Sequence, residues 1–208
     1  MTDLSQAKQI EGYIDYWIFP DGRVWSNKLS RGKRGRFLKG WIAQEGYIHY
    51  TLFIKRHTGV RSGPYDGKTF SAHRLVAEYF IGPPPIMDGE KILIDHIDRD
   101  PSNNHVSNLR YATFSQNNAN STKSVSISGR GAPSSKYKGV SLMKNLNSVR
   151  WIAVISKQIA KGVANTIHIG TFDSEIEAAK AYDKKAYELH GEFAHLNFPE
   201  DYGLQRGS

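Results

Sequence analysis

The chain has 208 residues, of which 39% are hydrophobic and 12% are aromatic, so it can build one large or two to three small packed domains. Its lack of cysteine excludes disulfide bridges, thiolate zinc sites and cysteine nucleophiles. No apolar run approaches the roughly 20 residues of a membrane span, and no signal-peptide pattern is present, so we expect a cytoplasmic protein. The formal net charge of +8 predicts a polyanionic partner.

The first 85 residues carry strand signals and one helix signal. Residues 15–19 and 23–26 flank an Asp-Gly turn, which is a strong hairpin signal. Further strands are predicted around residues 47–55, and a helix over residues 71–80 that Gly82 and the prolines at 83–85 end. A run without carboxylates, residues 27–41, supplies the candidate phosphate contacts Arg31, Lys33, Arg34 and Arg36. We therefore predict a DNA-positioning module over residues 1–85.

The middle of the chain concentrates polar side chains after a short apolar run. Residues 91–94 predict a strand that ends at Asp95 and His96, residues 98–104 have the composition of a turn, and residues 106–111 can return as a second strand. Thr113 and Gln116 have the spacing of a capping box. Asn117 is therefore predicted within the first turns of a helix.

These side chains suit metal-assisted hydrolysis of a phosphodiester. Mg²⁺ prefers oxygen ligands and is commonly held by one or two protein groups, which Asp95 and the amide oxygen of Asn117 could supply. His96 has a reference pKa of about 6.5 and can accept a proton from an attacking water. Because neighbours on a strand point to opposite faces, Asp95 and His96 can share one site only if the backbone is twisted there.

The motif made by Asp95-His96, Asn108 and Asn117 resembles that of the HNH, or ββα-metal, nucleases. His96 precedes Asn108 by 12 residues and Asp95 precedes Asn117 by 22, as in the HNH homing endonucleases of phages and mobile introns. The resemblance implies a nuclease core over residues 86–122, in which Asp95 and Asn117 hold one Mg²⁺ or Mn²⁺ per active site. It also implies that His96 is the general base and that Asn108 braces the loop that orients it, with Asn104 a weaker candidate for this support.

A third module is predicted after a Ser- and Gly-rich linker, residues 123–135. Residues 137–142, 149–157 and 164–172 are strand-like, and residues 174–190 form an amphipathic helix that begins with a capping box at Ser174 and Glu177 and ends at Gly191. From residue 121 to 172 the chain has eight basic residues and no acidic one. The sheet face opposite the helix is the predicted DNA-binding surface.

Residues 136–200 resemble the Apetala/ethylene-response-factor DNA-binding domain, through Tyr137-Lys138-Gly139-Val140, residues 169–172 and residues 196–199. The resemblance implies that the sheet docks on duplex DNA. Where the plant domains carry base-contacting Arg and Trp, this chain has Ser141, Ser156 and His168, so the plant target sequence is not carried over. The candidate DNA contacts of this module are Lys138, Lys144, Arg150, Trp151, Lys157 and His168.

The predicted fold class is α+β: a ββα-metal core preceded by a small mixed β/α module and followed by a three-stranded antiparallel sheet packed on one helix, with a tail at 201–208. The predicted function is site-specific, metal-dependent nicking of double-stranded DNA by a monomer, with no membrane or protein partner implied. The alternatives are a non-catalytic DNA-binding regulator and structure-directed cleavage of RNA or branched DNA. Loss of cleavage in Asp95→Ala or His96→Ala would distinguish the enzyme from the regulator.

Overall fold

The computed structural model describes residues 3–30, 32–55, 65–86, 90–121, 134–145, 148–160 and 163–204. It divides into a first unit, residues 1–88 and 94–111, and a second unit, residues 89–93 and 112–208. The strands are β1 (Lys8–Ile10), β2 (Tyr13–Ile18), β3 (Val24–Ser30), β4 (Lys33–Phe37), β5 (Trp41–Ile42), β6 (Ile48–Lys55), β7 (Tyr65–Ser71), β8 (Ile92–His96), β9 (Leu109–Thr113), β10 (Val140–Asn145), β11 (Ser148–Ala160) and β12 (Val163–Phe172). The α-helices are α1 (Ala72–Val76), α2 (Phe114–Asn120) and α3 (Glu175–His190).

The first unit is built on two antiparallel sheets, β1-β2-β3-β4 and β5-β6-β7. The predicted Asp-Gly hairpin is confirmed as the β2–β3 connection, where the N–H of Gly22 donates to the carbonyl of Phe19 at 3.0 Å. Gly22 has φ 84°, a left-handed conformation that glycine adopts without steric cost. Ile18 and Leu52, from the two sheets, are fully buried in one core with Val76 of α1.

The helix predicted over residues 71–80 is present but changes its winding. It is α-helical only over α1 and continues as a π-helical turn, Ala77–Ile81, before Gly82 with φ 102° ends it. The strands β1, β4, β5 and β7 were not predicted. Their sequences give little apolar alternation. Both residues of β5 are exposed, so β5 is a strand because of its pairing with β6 and not because of a buried face.

The central segment is a two-stranded sheet, β8-β9, followed by α2. The strand predicted to end at Asp95 and His96 is confirmed. The return strand begins later than expected, because Val106–Asn108 form a 3₁₀ turn before β9. Thr113 caps α2 through the predicted capping box with Gln116, and Asn117 lies in α2.

The second unit contains the antiparallel sheet β10-β11-β12, with α3 packed on one face. Ala153 and Ile155 of β11 and Ala179 of α3 are buried between them. Ser174 caps α3 by accepting from the N–H of Ile176, so the capping box predicted with Glu177 is replaced by a simpler cap. β10 begins at Val140 and not at Tyr137, because Gly139, with φ 73°, lies against the ring of Tyr182.

Some predicted features lie outside the described residues. They are Arg31 and residues 123–133 of the predicted linker, together with the side chains of Lys33, Lys144 and Lys157. Among the helices that are described, none combines the length and the apolarity needed to cross a membrane.

Candidate active site

Asp95 and His96 end β8, and both side chains are buried, with 4% and 6% of their surface exposed. A regular strand would put one of the two on the opposite face. Here the chain turns directly after His96, whose carbonyl accepts from the N–H of Arg99 at 2.9 Å. Arg99 has φ 68°, a left-handed conformation unusual for a residue with a side chain. The sharp turn thus follows immediately on the two candidate catalytic residues.

Asp95 is held by an arginine from the neighbouring strand. The Nε of Arg110 on β9 donates to Oδ2 of Asp95 at 2.9 Å, and both side chains are largely buried. A buried carboxylate is costly unless its charge is compensated. Arg110 therefore compensates the charge of the Asp95 carboxylate and fixes its orientation, a role for Arg110 that was not predicted from the sequence.

His96 is oriented by Asn104. Its Nε2 lies 3.3 Å from Oδ1 of Asn104, whose own Nδ2 donates to the carbonyl of Ser102 at 2.9 Å. Since the amide nitrogen is used by Ser102, the oxygen faces the histidine and can only accept. Nε2 of a neutral His96 then carries the proton and Nδ1 carries the lone pair, which is the arrangement that a general base requires.

The side-chain amide of Asn108 binds the loop between β8 and β9 by hydrogen bonds. Its Oδ1 accepts from the N–H of Asp98 at 3.0 Å, and its Nδ2 donates to Oδ1 of Asp98 and to the carbonyl of Asn103, both at 2.8 Å. Its backbone carbonyl also accepts from the N–H of Ile97 at 2.9 Å. The amide thus fastens both ends of the loop that carries Asn104.

The supporting roles of the two asparagines are therefore divided differently from the sequence-based expectation. Asn104, the weaker candidate, contacts the imidazole of His96 directly. Asn108 acts one step further away, on the backbone of the loop. The spacing of the motif could not separate these roles, because both residues lie after the same turn.

The loop is also acidic and internally bonded. Oδ2 of Asp98 accepts from Nδ2 of Asn103 at 2.6 Å, and Oδ1 of Asp100 accepts from both the N–H and the hydroxyl of Ser102. The two bonds from Ser102 hold the pKa of Asp100 below its ordinary value. Asp100 is therefore ionised at neutral pH, and it stabilises the turn that precedes Asn104.

Gly22, in the β2–β3 turn, packs closely against the side chain of Asn104. A Cβ at Gly22 would lie 2.6 Å from Cβ of Asn104, so only glycine allows this approach. The N–H of Val106 donates to the carbonyl of Pro20 in the same turn at 2.8 Å. The Asp-Gly pair was predicted from sequence as a hairpin signal, but its contact with the candidate active site was not.

The rings of Tyr47 and His73 lie next to that of His96. The ring centroids of Tyr47 and His73 are 4.9 Å apart, and they lie 5.8 Å and 5.5 Å from that of His96. Burial, followed by the nearby charges of His96, Arg74 and His49, lowers the pKa of His73 from 6.5 to about 4. His73 is therefore neutral at physiological pH.

Asn117, the second predicted metal ligand, lies half-buried in α2 and belongs to the second unit. In the part of the chain that the structure describes, no group of three or more His, Cys, Asp or Glu side chains could hold a metal ion. Asp95 nevertheless fits a hard cation: it offers a buried, oriented carboxylate, and Mg²⁺ needs few protein ligands when water and phosphate supply the others.

The candidate DNA contacts of the second unit separate into two groups. His168 is exposed on the sheet face opposite α3, as are Ser141 and Ser156, which stand where the plant domains carry base-contacting side chains. The hydroxyls of Ser156 and Thr166 lie 2.9 Å apart across β11 and β12. Arg150 is also exposed, but its Nε donates to Asp173 at 2.9 Å.

Two other candidates, Lys138 and Trp151, make contacts within the second unit. Nζ of Lys138 donates to the carbonyls of Ala119 and Ser121 at 2.7 Å and 2.6 Å, and Trp151 packs half-buried against the core under α3. The alternation of residues along β11 could not reveal the burial of Trp151, because the sequence does not show which face α3 covers. In the first unit, Arg34 and Arg36 are exposed on β4, as a phosphate contact requires.

Comparison with known proteins matches residues 70–119 to a family described as HNH endonuclease. The matched segment includes α1 and His73, which the predicted core over residues 86–122 left out. The chain is 32% identical over 198 residues to the uncharacterized HNH endonuclease L560 of Acanthamoeba polyphaga mimivirus, a match that covers 91% of this chain and 89% of that protein.

Two further relatives match parts of the chain. The DNA endonuclease I-HmuI of Bacillus phage SP01 is 36% identical over 109 residues, about half of each protein (51%), and its structure aligns with a TM-score of 0.37 at 30% identity. Dehydration-responsive element-binding protein 2E of Arabidopsis thaliana is 33% identical over 93 residues, 41% of this chain and 37% of the plant protein.

Proposed function

Because the chain belongs to the HNH endonuclease family and is a DNA endonuclease, we propose that it is a site-specific enzyme of the homing type that nicks one strand of duplex DNA as a monomer. The observation that carries this proposal is the pair at the end of β8. Asp95 and His96 are both buried, and each is oriented by a different side chain, Arg110 for the carboxylate and Asn104 for the imidazole.

In the proposed reaction, His96 accepts a proton from the attacking water at Nδ1. Asn104 holds the ring in the tautomer that has its lone pair there, and Asn108 fixes the loop from which Asn104 projects. Because the base is already positioned, less entropy is lost when the transition state forms. General-base catalysis itself contributes about 10²–10⁴-fold in rate. A single base of this kind serves one strand per encounter, which supports nicking.

Asp95 and Asn117 are the residues that would hold Mg²⁺ or Mn²⁺. A bound divalent ion supplies Lewis-acid stabilisation of the charge that develops on the phosphate and on the leaving oxygen. Arg110 contributes by fixing one oxygen of Asp95, so that the carboxylate is oriented before any ligand arrives.

Target recognition is proposed to come from two modules, one on either side of the core, over residues 1–85 and 136–200. The second of these modules is joined to the core by the proposed linker over residues 123–135. The outer sheet face of the second unit presents His168 and small hydroxyl side chains, and the whole segment from residue 121 to 172 lacks carboxylates. The similarity to a plant element-binding protein supports docking of this sheet, of the Apetala/ethylene-response-factor type, on duplex DNA. The same similarity favours the second candidate function, a DNA-binding regulator that no longer cuts.

The test is a plasmid assay that separates cutting from binding. Supercoiled DNA carrying a pooled library of inserts is incubated with Mg²⁺ or with EDTA. We expect Mg²⁺-dependent open circles from the wild type and a loss of about 10²–10⁴-fold in rate in His96→Ala. His105→Asn is the matched control, because His105 is an exposed histidine of the same loop that caps the 3₁₀ turn, a role that asparagine also performs.

Binding is measured on the same library by gel shift at two salt concentrations. His168→Glu should weaken binding, since it adds a negative charge to the outer sheet face, whereas Lys184→Gln, the same change in charge on α3, should not. Salt-sensitive binding without metal-dependent nicking would establish the regulator. Linear product at the first time point would contradict single-strand nicking by a monomer.

A further inference from the structure

The rings of Tyr47 and His73 lie beside that of His96, the candidate general base, but neither has a part in the proposed reaction. The three rings of this cluster come from three places in the first unit: the turn before β6, the second residue of α1 and the end of β8. Each ring centroid lies within 6 Å of the other two, at 4.9, 5.5 and 5.8 Å. The plane of His73 stands at 71° to that of His96, which is an edge-to-face contact.

We propose that His73 and Tyr47 are positioning residues that clamp the imidazole of His96 in the orientation from which it accepts the proton. This inference rests on the proposed function of His96. Asn104 fixes His96 at one ring nitrogen, at 3.3 Å. The contacts of Tyr47 and His73 act on the ring itself, so they restrain the orientation of its plane.

The chemistry of His73 supports a role for its ring. Nδ1 of His73 is buried and is the only such side-chain polar atom without a hydrogen-bond partner among the described residues. Because this nitrogen has no hydrogen-bond partner, it does not stabilise the fold, and burying it unpaired costs free energy. What His73 contributes to the cluster is a flat, neutral ring in edge-to-face contact with that of His96.

Burial explains why the clamp carries no charge of its own. The low pKa of His73, about 4, keeps it neutral while His96 takes up a proton in the reaction. A cationic His73 at 5.5 Å would repel the imidazolium that forms. Tyr47, in contrast, presents a ring at 5.8 Å, which is within the range of a favourable contact with a cation.

The experiment replaces the ring in graded steps. His73→Ala removes it, His73→Phe restores a flat ring without nitrogen, and His73→Leu fills the volume without a ring. We expect kcat for nicking to fall about tenfold in His73→Ala and His73→Leu and to return to within about threefold of the wild type in His73→Phe, while KM for DNA stays within about twofold in all of them. His49→Ala is the matched control. It also removes a histidine ring and its contact, the stack on Trp41, but His49 lies outside the cluster.

A second readout does not depend on cleavage. Nitrogen-15 NMR of the imidazole of His96 reports its tautomer, which should be the single Nε2–H form in the wild type and His73→Phe and a mixture in His73→Ala and His73→Leu. If the wild type itself does not cut, the proposed function fails, and the tautomer measurement still decides whether the clamp exists.

Two results would overturn the proposal. One is a wild-type kcat and a single His96 tautomer in folded His73→Ala or His73→Leu. The other is a His73→Phe protein as slow as His73→Ala while His73→Asn, which keeps a polar atom near the Nδ1 position, recovers activity. That result would assign the role to the nitrogen and not to the ring.

Discussion

Each unit contains a buried polar side chain that fastens a loop, and the two differ in chemistry. Asn108 in the first unit, 8% exposed, both accepts and donates hydrogen bonds through its side-chain amide, which joins Asp98 and Asn103 of the loop. Asp183 on α3, 1% exposed, only accepts hydrogen bonds. Its carboxylate accepts from the backbone N–H groups of Asn197 and Phe198, at 2.8 Å and 2.7 Å, and from the side-chain amide of Asn197 at 3.0 Å.

The difference follows from what each loop must do. The loop at Asn108 contains both carbonyls and N–H groups that need partners, and it holds a side chain that orients His96. The segment after α3 offers N–H donors, and fastening it closes the core at Leu196. A neutral amide thus serves a loop that positions chemistry, whereas a carboxylate serves a segment that completes a fold.

The largest expected effect is that of Asp183→Ala. It leaves the backbone N–H groups of Asn197 and Phe198 without an acceptor, at a cost of about 1–3 kcal/mol each, so we expect the second unit to lose about 4 kcal/mol of unfolding free energy. Hydrogen exchange followed by mass spectrometry should show faster exchange in α3 and residues 194–204. The comparison fails if residues 97–108 of the first unit exchange faster to the same extent.

A smaller loss of stability but a larger loss of activity is expected for Asn108→Ala. Three hydrogen bonds of about 1 kcal/mol each are removed from a part-buried loop, for a loss of about 3 kcal/mol. Exchange should increase at Ile97 and Asp98, and nicking should fall about 10²-fold because Asn104 no longer holds His96 in one orientation. Asn108→Asp should not rescue the variant, since a carboxylate cannot donate to Asp98 and Asn103.

The smallest effect, and the sharpest test, is that of Gly22→Ala. Alanine at φ 84° costs about 1–2 kcal/mol in any surroundings, and here its Cβ also presses on Asn104. Gly12→Ala is the control: Gly12 has φ 75° in the same unit, and its Cβ would meet no atom within 4 Å. Both variants should lose stability in thermal unfolding, and Gly22→Ala should lose more, because only its Cβ overlaps Asn104.

Only Gly22→Ala should slow nicking, by about threefold to tenfold, because only its Cβ displaces Asn104. Equal nicking rates in the two variants at a temperature where both are folded would mean that the β2–β3 turn supports the fold alone. In that case the first unit would use Asn104 without help from its N-terminal sheet.

Local chemistry in the sequence accounts for the elements whose signals are carried by a few adjacent residues. The capping box of Thr113 and Gln116, the Asp-Gly turn at residues 21–22 and the end of α3 at Gly191 are present as predicted. Strands without an apolar face, such as β4 and β5, were missed because only their partners in the sheets make them strands. The spacing of Asp95, His96, Asn108 and Asn117 identified the family, which the comparisons confirm.

The sequence by itself thus determined which residue types are available for the chemistry and where the chain turns, because both depend on neighbours within a few positions. Only the tertiary structure decided how these residues are supported. Arg110 on Asp95, Asn104 on His96, Gly22 behind Asn104 and His73 beside His96 are contacts between residues 8 to 82 positions apart. Such contacts form only when separate strands and turns pack together, and no local pattern encodes which side chains then face each other.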